Sequence, residues 1–146
     1  MDLNLKLSEH FSESEFLRSE TAERLKIKNY WEKPEYRDNA KYLCSVYLEP
    51  IRALLGKGIV IKSGYRCKEL NALLDISAAN SDHLKGLAVD IVPSSGKTRD
   101  LYNLIRKATD EGKLPKYDQL YYHHTKDFVH LGIGKHPEMR MMHWIA

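Results

Sequence analysis

The chain has 146 residues and a mass of 17.0 kDa, a size at which a single domain is the ordinary outcome. Hydrophobic residues make up 42% of it and charged residues 29%, a composition that excludes an intrinsically disordered chain. Its 23 basic and 20 acidic residues leave a net charge of +3, which is too small to indicate a nucleic-acid partner. The sequence therefore predicts one globular domain over residues 1–146.

Two further classes of protein are excluded by the distribution of residues. No apolar run approaches the roughly 20 residues that a helix needs to cross a bilayer, so an integral membrane protein is not expected. The N-terminus lacks a charged segment followed by an apolar stretch, and no secretory signal peptide is expected either. The two cysteines, Cys44 and Cys67, do not have metal-ligand spacing, and we expect both to be reduced and buried.

Two helical regions are predicted in the N-terminal half. The first covers residues 12–27, where Ser12 can cap the helix and apolar residues recur at three- and four-residue steps. A longer helix is predicted over about residues 35–55, with Gly56 at its C-terminal end. Pro50 lies inside that pattern and should kink the helix or split it, because proline removes a donor and clashes with the preceding turn.

From Gly58 onward, short apolar runs bounded by turn residues indicate strands, with helices between some of them. The predicted elements are a strand at 59–61, a short helix at 68–74, a strand at 86–92, a helix at 98–109, and strands at 117–122 and 127–133. Helices come first and strands mostly late, which favours an α+β domain over a doubly wound sheet. A C-terminal extension at 135–146 carries large apolar side chains that we expect to pack onto the body: Met139, Met141, Met142 and Trp144.

Two ionisable side chains interrupt apolar strand patterns, Asp90 in GLAVDIV and His130 in FVHLGI. A carboxylate is costly to bury unless it is paired, protonated or bound to a cation. His83 precedes Asp90 with six residues between them, and two histidines with one aspartate are a zinc-type ligand set that leaves a fourth position for water. A buried His–Asp pair without a metal is the alternative, and the spacing alone does not choose between the two.

Three further residues have side chains suited to a role beside such a metal. Asp127 begins the strand of His130 and can pass a proton from water to a leaving amine, or it can simply close the preceding turn. Arg66 follows the first strand, and its planar guanidinium suits a substrate carboxylate or a developing oxyanion, although an arginine in a loop is usually just solvated. Ser81 can donate to a substrate carboxylate or cap the turn that leads to His83.

Three segments together resemble the M15 family of zinc D-Ala-D-Ala peptidases: SGYRCKELN, SDHLKGLAVDI and DFVHLGI, at 63–71, 81–91 and 127–133. The shared pattern is S-x-H, a glycine three residues and an aspartate seven residues after the histidine, and later a carboxylate three residues before a second histidine. The family includes D,D-carboxypeptidases, D-Ala-D-Ala dipeptidases and phage L-alanyl-D-glutamate endopeptidases. Because the N-terminal stretch also looks similar to the small single-domain members, the resemblance covers roughly residues 7–134.

The resemblance implies a fold, a metal and a role for each matched residue. The fold would be the small α+β fold shared with Hedgehog signalling domains, in which an antiparallel sheet carries one zinc ion and is flanked by N-terminal helices. The implied residues are the zinc ligands His83, Asp90 and His130, the catalytic carboxylate Asp127, and the substrate-binding residues Arg66 and Ser81.

The sequence departs from the pattern of its close single-domain relatives at two positions. Many of them have a glutamate where His123 follows QLYY, and if that glutamate is their working base, Asp127 must serve alone. His123 is therefore an auxiliary candidate for the site. Many relatives also carry a tryptophan where this chain has Phe128, a replacement that keeps an aromatic wall.

The predicted function is that of a zinc metallopeptidase that hydrolyses bacterial peptidoglycan stem peptides, as a D-Ala-D-Ala carboxypeptidase or endopeptidase. Two alternatives stay open: an L-Ala-D-Glu endopeptidase of the endolysin type, and a catalytically weak wall-binding or virion-associated zinc module, which His123 favours. The predicted partner is a peptidoglycan peptide, without nucleic acid or an integral membrane, and the protein is expected to be a monomer. We expect it to act at the cell wall or in the periplasm, delivered by phage lysis or within a virion, and to be cytoplasmic otherwise.

Overall fold

The computed structural model describes residues 5–74, 81–134 and 139–146. Its strands are β1 (Ile59–Ser63), β2 (Ala88–Pro93), β3 (Gln119–His123), β4 (Phe128–Gly132) and β5 (Met142–Ile145). They form one sheet in the order β1-β2-β4-β3-β5, in which the first three pairings are antiparallel and β5 runs parallel to β3. Helices precede and flank this sheet, and the predicted α+β class is confirmed.

The helix predicted over residues 12–27 is two short helices, α1 (Glu13–Leu17) and α2 (Glu20–Leu25). Ser12 caps the first, as expected, and Ser19 caps the second by accepting a hydrogen bond from a backbone N–H of α2. The single-helix prediction is wrong because a second good N-cap residue lies in the middle of the apolar pattern. The backbone is extended at both residues between the two helices, Arg18 and Ser19, and the second helix begins after Ser19.

The long helical region consists of α3 (Pro34–Leu43), a π-helical turn (Cys44–Leu48) and α4 (Glu49–Leu55). The interruption predicted at Pro50 takes the form of this wider turn, which lies directly before the proline. A π-helical turn bonds over five residues and adapts a helix to a ring that cannot donate a hydrogen bond. Gly56 ends the region in the left-handed conformation, with φ of 77°, as predicted.

The remaining predicted elements are present with small shifts of their ends. The structure has α5 (Lys68–Leu74), α6 (Thr98–Asp110) and a short 3₁₀ helix (Asp82–Lys85) that the sequence pattern did not indicate. α6 packs against β2, β3 and β4 on one face of the sheet, where the core includes Leu101, Ile105 and Leu120. The opposite face of the sheet is left to line a cleft.

The C-terminal residues return to the body of the protein, as expected. Met139 and Met141 are partly buried against the core. Met142 and Trp144 lie on the edge strand β5 and stay 43% and 38% exposed, so their packing is incomplete. Residues 135–138 of the extension lie outside the described part of the chain.

The expectation for the two cysteines also holds. Cys44 and Cys67 are both free thiols and both buried. Among the described residues, no helix is long and apolar enough to cross a bilayer.

Candidate metal centre

One row of side chains crosses the whole sheet on its cleft face. Cross-strand pairing sets Asp90 opposite His130, and His130 opposite Tyr121. The row begins at Ser63 on β1 and ends at Trp144 on β5. Because directly paired residues have Cβ atoms about 4.5–5.5 Å apart, the register alone brings the two predicted strand ligands into contact distance.

His83 reaches this row from the 3₁₀ helix that lies against the sheet. Its Nδ1 donates to the carbonyl oxygen of Gly64 at 2.7 Å, which leaves Nε2 as the nitrogen with a free lone pair. Metal-binding histidines commonly donate their other ring nitrogen to a backbone carbonyl in this manner. The tautomer and the orientation of His83 are therefore both fixed by the end of β1.

The distances among the three predicted ligands fit a zinc ion. His83 Nε2 lies 3.4 Å from Asp90 Oδ1, and His130 Nδ1 lies 2.9 Å from the same oxygen. Tetrahedral zinc with bonds of about 2.0–2.2 Å places neighbouring ligand atoms about 3.3 Å apart. The structure thus brings together all three predicted ligands, with ligand atoms within 4.8 Å of one another. We call these three residues the ligand cluster.

Burial and charge favour metal-binding protonation states at two members of the ligand cluster, His83 and Asp90. Burial lowers the pKa of the His83 imidazole, and this effect exceeds the opposing influence of the Asp90 carboxylate. Burial also raises the pKa of Asp90, but the charge and hydrogen bonds of the two histidines lower it well below its usual range. A neutral imidazole and an ionised carboxylate are the forms that coordinate zinc.

Arg66 lies beside the ligand cluster and lines the cleft. Its guanidinium donates to Ser63 Oγ at 3.0 Å and to Asn71 Oδ1 at 3.2 Å, and one nitrogen lies 3.4 Å from Asp90 Oδ2. The side chain is 12% exposed, so its position is set by these contacts and not by solvent. Arg66 therefore presents a fixed positive charge next to the candidate metal site.

Ser81 lies at the N-cap of the 3₁₀ helix and also lines the cleft. Its Oγ accepts a hydrogen bond from the backbone N–H of His83 at 3.2 Å. This is the capping role that the sequence left open. A hydroxyl can accept with a lone pair and donate its proton at the same time, so the cap leaves the O–H of Ser81 available to another group.

Asp127 has a different setting from the other predicted site residues. Its carboxylate accepts hydrogen bonds from Thr98 Oγ1 and from the Tyr122 hydroxyl, each at 3.1 Å. Thr98 begins α6, the helix that packs on the face of the sheet away from the cleft. Asp127 precedes β4 in a turn with a left-handed φ of 56°, so the alternation of side chains along the strand does not apply to it. Among the described residues, Asp127 is not part of the cleft lining.

His123 and Phe128 both line the cleft. They are directly paired across β3 and β4, and their rings stack with centroids 5.1 Å apart. The aromatic wall expected at Phe128 is therefore present, with His123 as its partner.

Two aromatic residues of the row, Tyr121 and Trp144, were not predicted from the sequence as part of the site. The Tyr121 ring stacks between His130, at 4.7 Å, and Trp144, at 4.8 Å. Alternation within QLYYH could have placed Tyr121 on the same face as His123. No short sequence pattern indicates that Trp144 belongs to this row, because its position depends on the parallel pairing of β5 with β3.

The ligand cluster lies in a cleft of about 1490 Å³. Two imidazoles and one carboxylate grouped in an open cleft of an α+β domain can hold a metal ion, an arrangement typical of hydrolytic metalloproteins. The sequence matches the family described as Peptidase M15 over residues 9–132, and the chain belongs to that family. No curated protein matches the sequence. Since M15 peptidases are zinc-dependent and act broadly on peptidoglycan-type substrates, the chain is a metallopeptidase of this kind.

Proposed function

We propose that the protein is a zinc D,D-peptidase that cleaves the bond next to a terminal D-Ala in peptidoglycan stem peptides, at the bacterial cell wall. The observation that carries this proposal is the ligand cluster, set in an open cleft of an M15 chain. One zinc ion held by His83, Asp90 and His130 would supply a Lewis acid and a bound water with a pKa near 7. The other roles fall to residues of the chain.

Arg66 and Ser81 are proposed to orient the substrate. The Arg66 guanidinium is already fixed by Ser63 and Asn71, so little side-chain entropy is lost when it binds a carboxylate or a developing negative charge. The Ser81 hydroxyl keeps its proton for a substrate oxygen while it caps the turn of His83. Both residues line the cleft beside the ligand cluster.

The charge of the cleft supports a substrate with a free carboxylate. Among the described residues that line it, six are lysine or arginine and four are aspartate or glutamate, one of which is the proposed ligand Asp90. A carboxypeptidase substrate presents its terminal carboxylate next to the scissile bond. A D-Glu residue also carries a second carboxyl group beside the L-Ala–D-Glu bond, so the charge of the cleft supports an anionic stem peptide and does not choose between the two reactions.

A digest of purified muropeptides tests the proposal. We expect the zinc-loaded protein to release D-Ala, detected by mass spectrometry, and we expect a chelator to stop the release until zinc is restored. Release of fragments cut between L-Ala and D-Glu would establish the endopeptidase alternative. Protein that sediments with cell-wall sacculi but releases nothing would support the wall-binding module in its place.

The catalytic role of Asp127 stays a prediction from the sequence, and the variant Asp127→Asn tests it. Thr98 and Tyr122 each donate one hydrogen bond to the carboxylate, which has about four acceptor sites and so keeps lone pairs for a proton from water. We expect Asp127→Asn to lower turnover about 10²-fold with unchanged zinc content, because an amide cannot take up that proton. Hydrolysis within a few-fold of wild type would show that the carboxylate only holds the turn before β4.

A further inference from the structure

His123 occupies a defined position relative to the ligand cluster. It is directly opposite Phe128, and His130 is two residues farther along β4, so His123 and His130 are diagonal neighbours on the cleft face. Diagonal pairs in antiparallel strands are about 7–8 Å apart, a gap that one peptide group can occupy. A substrate bound at the metal site would therefore pass next to His123.

The local structure fixes both the plane and the tautomer of the His123 ring. Stacking on Phe128, with 18° between the ring planes, sets the plane. The backbone N–H of Lys126 donates to His123 Nδ1 at 3.1 Å. A backbone amide can only donate, so Nδ1 must be unprotonated and the neutral ring carries its proton on Nε2. Nε2, which makes no hydrogen bond to the turn, is therefore an N–H donor.

We propose that His123 is a catalytic hydrogen-bond donor, whose Nε2–H binds the carbonyl oxygen of the scissile peptide as negative charge builds on it. This inference rests on the proposed peptidase function. In this tautomer the lone pair of Nδ1 accepts the hydrogen bond from Lys126, and the protonated Nε2 has no free lone pair. The neutral ring therefore cannot also accept a proton from water. Donors of this type lower the barrier because they are already oriented when the charge appears.

Two substitutions at the same position separate a donor from a base. His123→Ala removes the donor, and we expect kcat to fall about 10²-fold with little change in KM or zinc content. His123→Gln keeps an N–H donor but cannot accept a proton, and we expect it to recover at least about a tenth of wild-type kcat. The matched control is His124→Gln, because His124 is exposed, is absent from the cleft lining and should leave hydrolysis unchanged.

The outcomes distinguish failure of this inference from failure of the proposed function. A wild-type protein that hydrolyses no muropeptide would overturn both. If the wild type is active but His123→Gln is as slow as His123→Ala, the donor role is wrong and the proposed function stands. The same holds if His123→Ala keeps the kcat of the wild type. Nitrogen-15 NMR of the histidine rings gives a readout without turnover. The ring signals of His123 are those that disappear in the spectrum of His123→Gln. In the wild-type spectrum we expect these signals to show a proton on Nε2, and a neutral ring with its proton on Nδ1 would contradict the inference.

Discussion

Asp90→Asn is expected to weaken zinc binding by at least about 100-fold and to reduce hydrolysis to background. The substitution keeps the size of the side chain but removes the only anionic member of the ligand cluster. It also leaves an amide beside Arg66 and His130, which both contact the carboxylate of Asp90 in the wild type. Isothermal titration with zinc and the metal content after dialysis measure the effect directly.

The control for this substitution is Asp100→Asn, on the exposed first turn of α6. It makes the same chemical change away from the cleft and should leave zinc content and hydrolysis at wild-type values. Circular dichroism establishes whether the Asp90 variant stays folded. Wild-type zinc affinity in a folded Asp90→Asn variant would show that the metal is bound elsewhere, and the proposed centre would have to be abandoned.

Gly86→Ala is expected to lower the free energy of unfolding by roughly 3 kcal/mol or more, a sum of left-handed strain and overpacking. Gly86 has φ of +74°, and a Cβ built there would lie 2.2 Å from the carbonyl oxygen of Tyr36 in α3. A backbone atom cannot rotate away as a flexible side chain would. The 3₁₀ helix and α3 must therefore separate, and urea denaturation measures the loss.

Gly112→Ala is the matched control, because Gly112 has φ of +75° but no atom within 4 Å of the position that a Cβ would take. It should cost only about 1–2 kcal/mol, the strain term without the collision. Gly86 also lies between His83 and Asp90, so we expect its variant to lose zinc affinity as well. Equal destabilisation by the two substitutions would show that the close approach to α3 contributes nothing.

Much of the candidate site could be predicted from the sequence, because the patterns that indicate its residues lie within short segments. Asp90 and His130 each interrupt an apolar strand, and the cost of burying such groups indicates that they satisfy each other or a metal. His83 was found by its spacing and by the family pattern, and the 3₁₀ helix that positions it was not expected. The structure adds the reason for its orientation, which is the carbonyl oxygen of Gly64.

The orientation of the Asp127 side chain could not be predicted from the sequence in the same way. Its chemistry and its place before His130 made it a reasonable proton carrier. The turn into β4 gives Asp127 a left-handed φ of 56°, and its carboxylate is held by Thr98 of α6 and Tyr122 of β3. Thr98 is brought to it by the packing of α6 on the sheet, and Tyr122 by the pairing of β3 with β4.

The amino-acid sequence predicted the α+β class, most of the helices and strands, and the three residues that the structure groups in the ligand cluster, because periodicity, buried charge and the family pattern are properties of short segments. The faces that those segments share are set by tertiary packing. The pairing of β5 with β3 brings Trp144 onto Tyr121 and thereby next to His130. Contacts between residues far apart in the chain depend on how whole elements pack, and no local pattern records that packing.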